Sequence, residues 1–75
     1  MKLDIPNLDA MDPASLFAWQ DSCTSESPTA RQAKRYATLK ARAWSLRLSG
    51  HISAAMANEA ECDAIYSRMS KRYRW

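Results

Sequence analysis

Apolar side chains return at helical spacing along most of this chain. Tyr36, Leu39, Ala43 and Leu46 recur at steps of three and four, and Ala33, Ala37, Trp44 and Leu48 widen the stripe on one side. The run contains no glycine or proline after Pro28 and stops at Gly50, which predicts a helix over residues 28–49. Beyond the turn, Ile52, Ala55, Met56, Cys62, Ile65, Tyr66 and Met69 share a face interrupted at Glu59, predicting a helix over 52–70. Upstream, Leu16, Phe17 and either Trp19 or Gln20 give a shorter buried face to a helix over 13–22. Residues 1–11 read as an extended arm, because Pro6 holds Ile5 extended and Asn7 and the aspartates favour turns. Leu3, Ile5, Leu8 and Met11 nevertheless give that arm apolar side chains that fit along a helical body.

Punctuation agrees with the periodicity. Asp12-Pro13 and Ser27-Pro28 each pair a side-chain acceptor for a free N–H with a proline suited to the first helical position. Gly50 supplies the left-handed residue that closes a helix C-terminus, and His51 beside it is placed to cap the last carbonyls of the preceding helix. So short a connection makes the two long helices antiparallel neighbours. The expected fold is all-α: a single domain with a short N-terminal helix and a long antiparallel helical hairpin, three-helix-bundle-like. Two rods alone leave a wide stripe uncovered. Its third side falls to the arm and first helix, or to a second copy.

Composition supports helices against sheet. The chain has thirteen alanines, no valine and a single glycine, a set that fills helices cheaply and offers a pleated surface little to pack. Alanines at 37, 41, 43, 55, 57, 60 and 64 are expected to bring the two long helices close. At 75 residues there is room for one core, which excludes a multi-domain enzyme, a Rossmann unit and a β-barrel. No run of about 18 apolar residues suggests a membrane span. The N-terminal stretch also lacks a secretory apolar core, so a cytoplasmic protein is expected.

Charge is arranged in blocks. Residues 28–50 hold Arg31, Lys34, Arg35, Lys40, Arg42 and Arg47 without an acid, whereas residues 51–67 hold Glu59, Glu61 and Asp63 without a Lys or Arg. Such blocks attract each other as readily as they attract a partner. Glu59, alone on an apolar face, is expected to pair with Lys40, Arg42 or Arg47 across the hairpin and fix its register. The chemistry for catalysis is thin. Cys23 and Cys62 lack metal-ligand spacing and read as free thiols. His51 lies about 16 Å along a helix from Cys62, too far for a thiol–imidazole pair. No enzyme activity, cofactor or metal is expected.

Tyr36-Ala37-Thr38-Leu39-Lys40, Arg47-Leu48, Gly50-His51-Ile52, Glu59, Cys62, Ile65-Tyr66 and the closing Arg74-Trp75 together resemble a pattern found in small uncharacterised proteins of bacteriophages and prophages. The likeness covers residues 33–75. It departs at Met69-Ser70-Lys71, where that pattern has a leucine–proline pair, so the third helix is expected to run on further. The resemblance implies a phage-encoded protein of the host bacterial cytoplasm and carries no activity with it.

Partner contacts are expected from two groups. The basic face Arg31, Lys34, Arg35 and Arg42 offers a cationic surface, and the tail Arg72, Tyr73, Arg74 and Trp75 alternates cations with aromatics. The leading expectation is a non-enzymatic accessory protein that binds another protein, a host factor among the candidates. A small nucleic-acid-binding regulator using the same groups is the alternative. Self-association into a four-helix bundle is a third.

Overall fold

The computed structural model describes residues 3–75, so the first two positions of the expected arm lie outside it. Among the described residues three α-helices carry the fold: α1 (Pro13–Ser22), α2 (Pro28–Leu48) and α3 (Ile52–Arg68). Single 3-10 turns stand at Leu8–Ala10 and Lys71–Tyr73, and there is no strand among the described residues. The chain is all-α, as its periodicity requires.

Two of the helices start on a side-chain cap. The Asp12 carboxylate accepts from the Ser15 N–H at 3.3 Å, and the Ser27 hydroxyl accepts from the Ala30 N–H at 3.2 Å. Pro13 and Pro28 follow in the first helical position, where the missing N–H costs nothing. The carbonyls at the end of α2 are met by backbone N–H groups rather than by the His51 ring expected to cap them. The His51 N–H donates to the Leu46 carbonyl at 2.8 Å and the Gly50 N–H to the Arg47 carbonyl at 3.1 Å. These crossed bonds are a Schellman closure. Gly50 sits at φ +83° within it, a conformation that a Cβ makes costly.

The wide stripe decides the packing. On α2, Ala30, Ala33, Tyr36, Ala37, Leu39, Ala41 and Ala43 are buried, a sector wider than half the helix circumference. One flank is covered by α3, whose buried Cys62 donates to the Tyr36 carbonyl at 3.7 Å. The other flank is covered by α1, where the Gln20 amide donates to the Lys34 carbonyl and to the Thr38 hydroxyl, both at 2.6 Å. The arm takes the sector between. Its Leu8 is fully buried, and its Asp9 accepts from the Tyr36 hydroxyl at 2.8 Å and meets the Lys40 ammonium at 2.9 Å. The expected extended arm is therefore partly a 3-10 turn, capped by the Asn7 side chain at 3.1 Å from the Asp9 N–H.

Several side chains depart from the periodicity. Phe17 is exposed, and Leu16 alone is fully buried on α1. Trp44 and Leu48 lie outside the core. Close approach comes from the buried alanines of α2 and from Ala55, while Ala57, Ala60 and Ala64 face outward. The third helix stops at Arg68 rather than running to Ser70. Met69 turns extended and buries its side chain, which folds the tail back over the core instead of carrying it away. Nothing stands within 4 Å of a Cβ added at Gly50, so Gly50→Ala strains only the backbone. A loss of about 1–2 kcal/mol is expected, seen as a fall in Tm of roughly 4–8 °C per kcal/mol in a calorimetric or circular-dichroism melt.

Candidate interaction surface

The helix repeat puts Arg31, Arg35, Thr38 and Arg42 on one ridge of α2, across the helix from the sector that the arm covers. All three arginines are exposed. Arg35 forms an ion pair with Glu61 of α3, and Arg31 and Arg42 have no carboxylate partner among the described residues. Phe17 is exposed on α1, one turn before Gln20, whose amide is bonded to Thr38 of the ridge. Lys34 does not join the other three cations. Its ammonium donates to the Ser25 carbonyl at 3.2 Å and ties the loop before α2 to the helix.

The tail is built into the fold. The Trp75 ring meets Tyr36 and Tyr66 edge-on, with centroids 4.9 Å and 4.8 Å away and planes at 77° and 78°. The Tyr66 hydroxyl also donates to the Trp75 carbonyl. Arg74 turns back on α3, its guanidinium donating to the carbonyls of Met69 at 3.0 Å and Ser67 at 2.7 Å. It thereby satisfies acceptors that a helix end leaves free, and it lies 5.6 Å over the Tyr66 ring. Arg72 stacks on its neighbour Tyr73 at 5.4 Å, and Tyr73 packs against the core. The two groups expected to act together are thus separated. Arg31, Arg35 and Arg42 share an open surface; Tyr73, Arg74 and Trp75 clasp the open end of the hairpin.

Glu59 has the partner its position called for. Arg47 donates Nε to Oε2 at 2.6 Å and a second nitrogen to Oε1 at 2.5 Å, a two-pronged geometry that fixes register. The hydrogen bond from Arg47 holds the Glu59 carboxyl below its ordinary range. Hydrogen bonds from Lys40 and then Tyr36 lower Asp9 in the same way. Burial, followed by the bond to Asp9, raises the Tyr36 phenol. Cys62 is pushed up to about 11 by burial, so it stays a thiol at neutral pH. Cys23 is free as well, half-buried in an open groove of about 690 Å³ that Leu3, Ile5 and Trp19 help to line. No three His, Cys, Asp or Glu side chains gather as a metal site among the described residues. None of the described helices is long and apolar enough to cross a membrane.

A second surface lies at the closed end of the hairpin, where Trp44, Leu48, Ile52 and Met56 are exposed. Periodicity assigns these residues to the core; their exposure follows from how far the arm reaches. No family model, curated protein or solved structure matches the chain.

Trp75→Ala removes two edge-to-face pairs, each worth about 0.5–1.5 kcal/mol. Chemical denaturation is expected to register a loss of about 1–3 kcal/mol with helix content retained. A depressed carboxyl contributes stability above its unfolded value, near 4, and loses it as pH falls through the folded value. Melting temperature should therefore decline below about pH 4. In Glu59→Gln the decline should be shallower, with lower stability at neutral pH and convergence with the parent in acid. Identical pH profiles would show that the Arg47 pair contributes nothing.

Proposed function

We propose that this chain is a non-enzymatic accessory protein that binds another protein through the arginine ridge of α2. The resemblance of its hairpin to small phage proteins supports a phage-encoded origin and a working place in the host bacterial cytoplasm. The observation that carries the reading is the exposure of Arg31, Arg35 and Arg42 on one helical ridge, with Arg31 and Arg42 unpaired among the described residues. Arginine is a favoured interface anchor because its planar donors grip carboxylates in pairs and its face stacks on aromatics. The complementary partner presents an acidic surface.

Cations alone suit phosphates equally well. The tail supports the protein reading over nucleic acid. Sequence-tolerant binding of single strands draws on free aromatic faces, and the Trp75 ring is engaged by both Tyr36 and Tyr66. On a duplex, three arginines spread over about 16 Å of helix would make few phosphate contacts.

The test is affinity capture from host-cell extract with tagged parent and with the double variant Arg31→Glu/Arg42→Glu. Both positions are exposed, so the variant should melt like the parent. A protein retained after nuclease treatment by the parent and lost by the variant is the expected result. Capture that disappears with nuclease would move the reading to nucleic acid, and capture indifferent to the variant would remove the ridge from it.

A further inference from the structure

The third side of the hairpin is covered over only part of its length. Lys40 of α2 is held by Asp9 of the arm, and Tyr66 of α3 lies against Trp75 of the tail. The same ridges continue toward Gly50: Trp44 and Leu48 follow Lys40 at successive turns, and Ile52, Met56, Glu59, Asp63 and Tyr66 form one row on α3. Past Lys40 the cover ends. Trp44 is 44% exposed, Leu48 80%, Ile52 44% and Met56 57%. Trp44 and Met56 are equally far from Gly50 in sequence, as are Leu48 and Ile52, so they form two level rungs across the antiparallel pair.

The charge around these rungs identifies their occupant. Between Ala43 and Asn58 the only Asp, Glu, Lys or Arg is Arg47, and Glu59 takes two of its nitrogens. Lys40, at the upper edge, is neutralised by Asp9. The patch is therefore apolar, and the charges nearest to it on the two helices, Lys40, Arg47 and Glu59, are all paired, which leaves its border neutral there. An anionic membrane surface would call for free Lys or Arg beside the apolar groups, and a charged partner would need a complementary charge. A surface equally neutral and apolar is this same patch on another molecule. Two-fold pairing requires a face that does not repel itself, a condition this border meets.

We infer that a second copy of this chain packs on the hairpin tip, the two bodies pointing away from each other. Side-by-side packing with both tips together is opposed by the arm and tail, which stand above the face at the open ends. With the bodies reversed, each tip enters the layer that the other's arm leaves empty. Trp44 then lies over the partner's Leu48, and Met56 over the partner's Ile52. The arginine ridge is on the opposite side of α2, so both ridges stay open in the dimer and the dimer does not depend on what they bind. Four side chains make less than the roughly 800 Å² per partner of a standard interface, so the dimer is weak, with Kd in the range of about 10 µM to 1 mM.

Sedimentation equilibrium across that range tests the assignment. The parent's average mass should climb from the 8.5 kDa of one chain toward twice that value. Leu48→Asp places a carboxylate against the partner's Trp44 and should remain monomeric at every concentration, with an unchanged melt. Met56→Glu gives a second version of the same test should the first fold poorly. Arg31→Glu/Arg42→Glu should dimerise like the parent. A parent that stays at one chain's mass throughout overturns the inference. So does a Leu48→Asp chain that associates as the parent does, or loss of the dimer in the ridge variant, since either puts the contact elsewhere.

Discussion

Alanine lets helix backbones approach but fills little space, and α2 commits Ala30, Ala33, Ala37, Ala41 and Ala43 to the interior. A protein centred on such a helix gains closeness and lacks volume. The volume comes from side chains brought in by other segments: Leu16 from α1, Leu8 from the arm, Met69 where α3 ends and Trp75 from the tail. Each reaches the same neighbourhood from a different direction. The arm and tail are consequently parts of the core, although neither is a helix of any length. Their turns, caps and reversals are what allow those side chains to arrive.

Polar contacts follow the same division. Arg47–Glu59 and Arg35–Glu61 connect α2 to α3, and Asp9 connects the arm to Tyr36 and Lys40. Exposed pairs contribute little stability individually, but a two-pronged bond admits one alignment of the helices. Arg47–Glu59 holds the hairpin in register on the side of its closed end, while the tail clasps the open one. The two ends are thereby chemically unlike. One is filled by the chain's own aromatics; the other presents apolar side chains inside a neutral border, on the opposite side of α2 from the arginines.

How much of this the sequence disclosed depended on whether the deciding physics was local. The caps at Asp12 and Ser27 and the left-handed Gly50 act within a few residues, and they set helix starts and the turn correctly. Glu59 was legible because a carboxylate on an apolar face demands a cation within reach, and only a few were near. Trp75 was not legible. Its burial requires α3 to stop at Arg68 and the tail to reverse, and no periodic signal announces a reversal stabilised by Arg74 on carbonyls behind it. Trp44 and Leu48 misled for a related reason. Their spacing marks them as stripe residues, but whether a stripe is covered depends on the length of a distant arm. The basic ridge was visible as a face, and only its separation from the tail needed three dimensions.

The alanine interior also divides the chain by what each position can accept. At Ala33 and Ala37, where no surface remains, an added methylene must displace a packed neighbour, and overpacking typically costs about 1–3 kcal/mol. At Ala57, Ala60 and Ala64 the same residue faces outward and admits almost any helix-forming replacement. Identical letters therefore carry opposite tolerances. Drift in a lineage of such proteins would rewrite the outer alanines and the charges freely while preserving an inner set common to many unrelated helices. Two descendants could keep this fold in full and share few residues that distinguish it from any other close-packed helical hairpin.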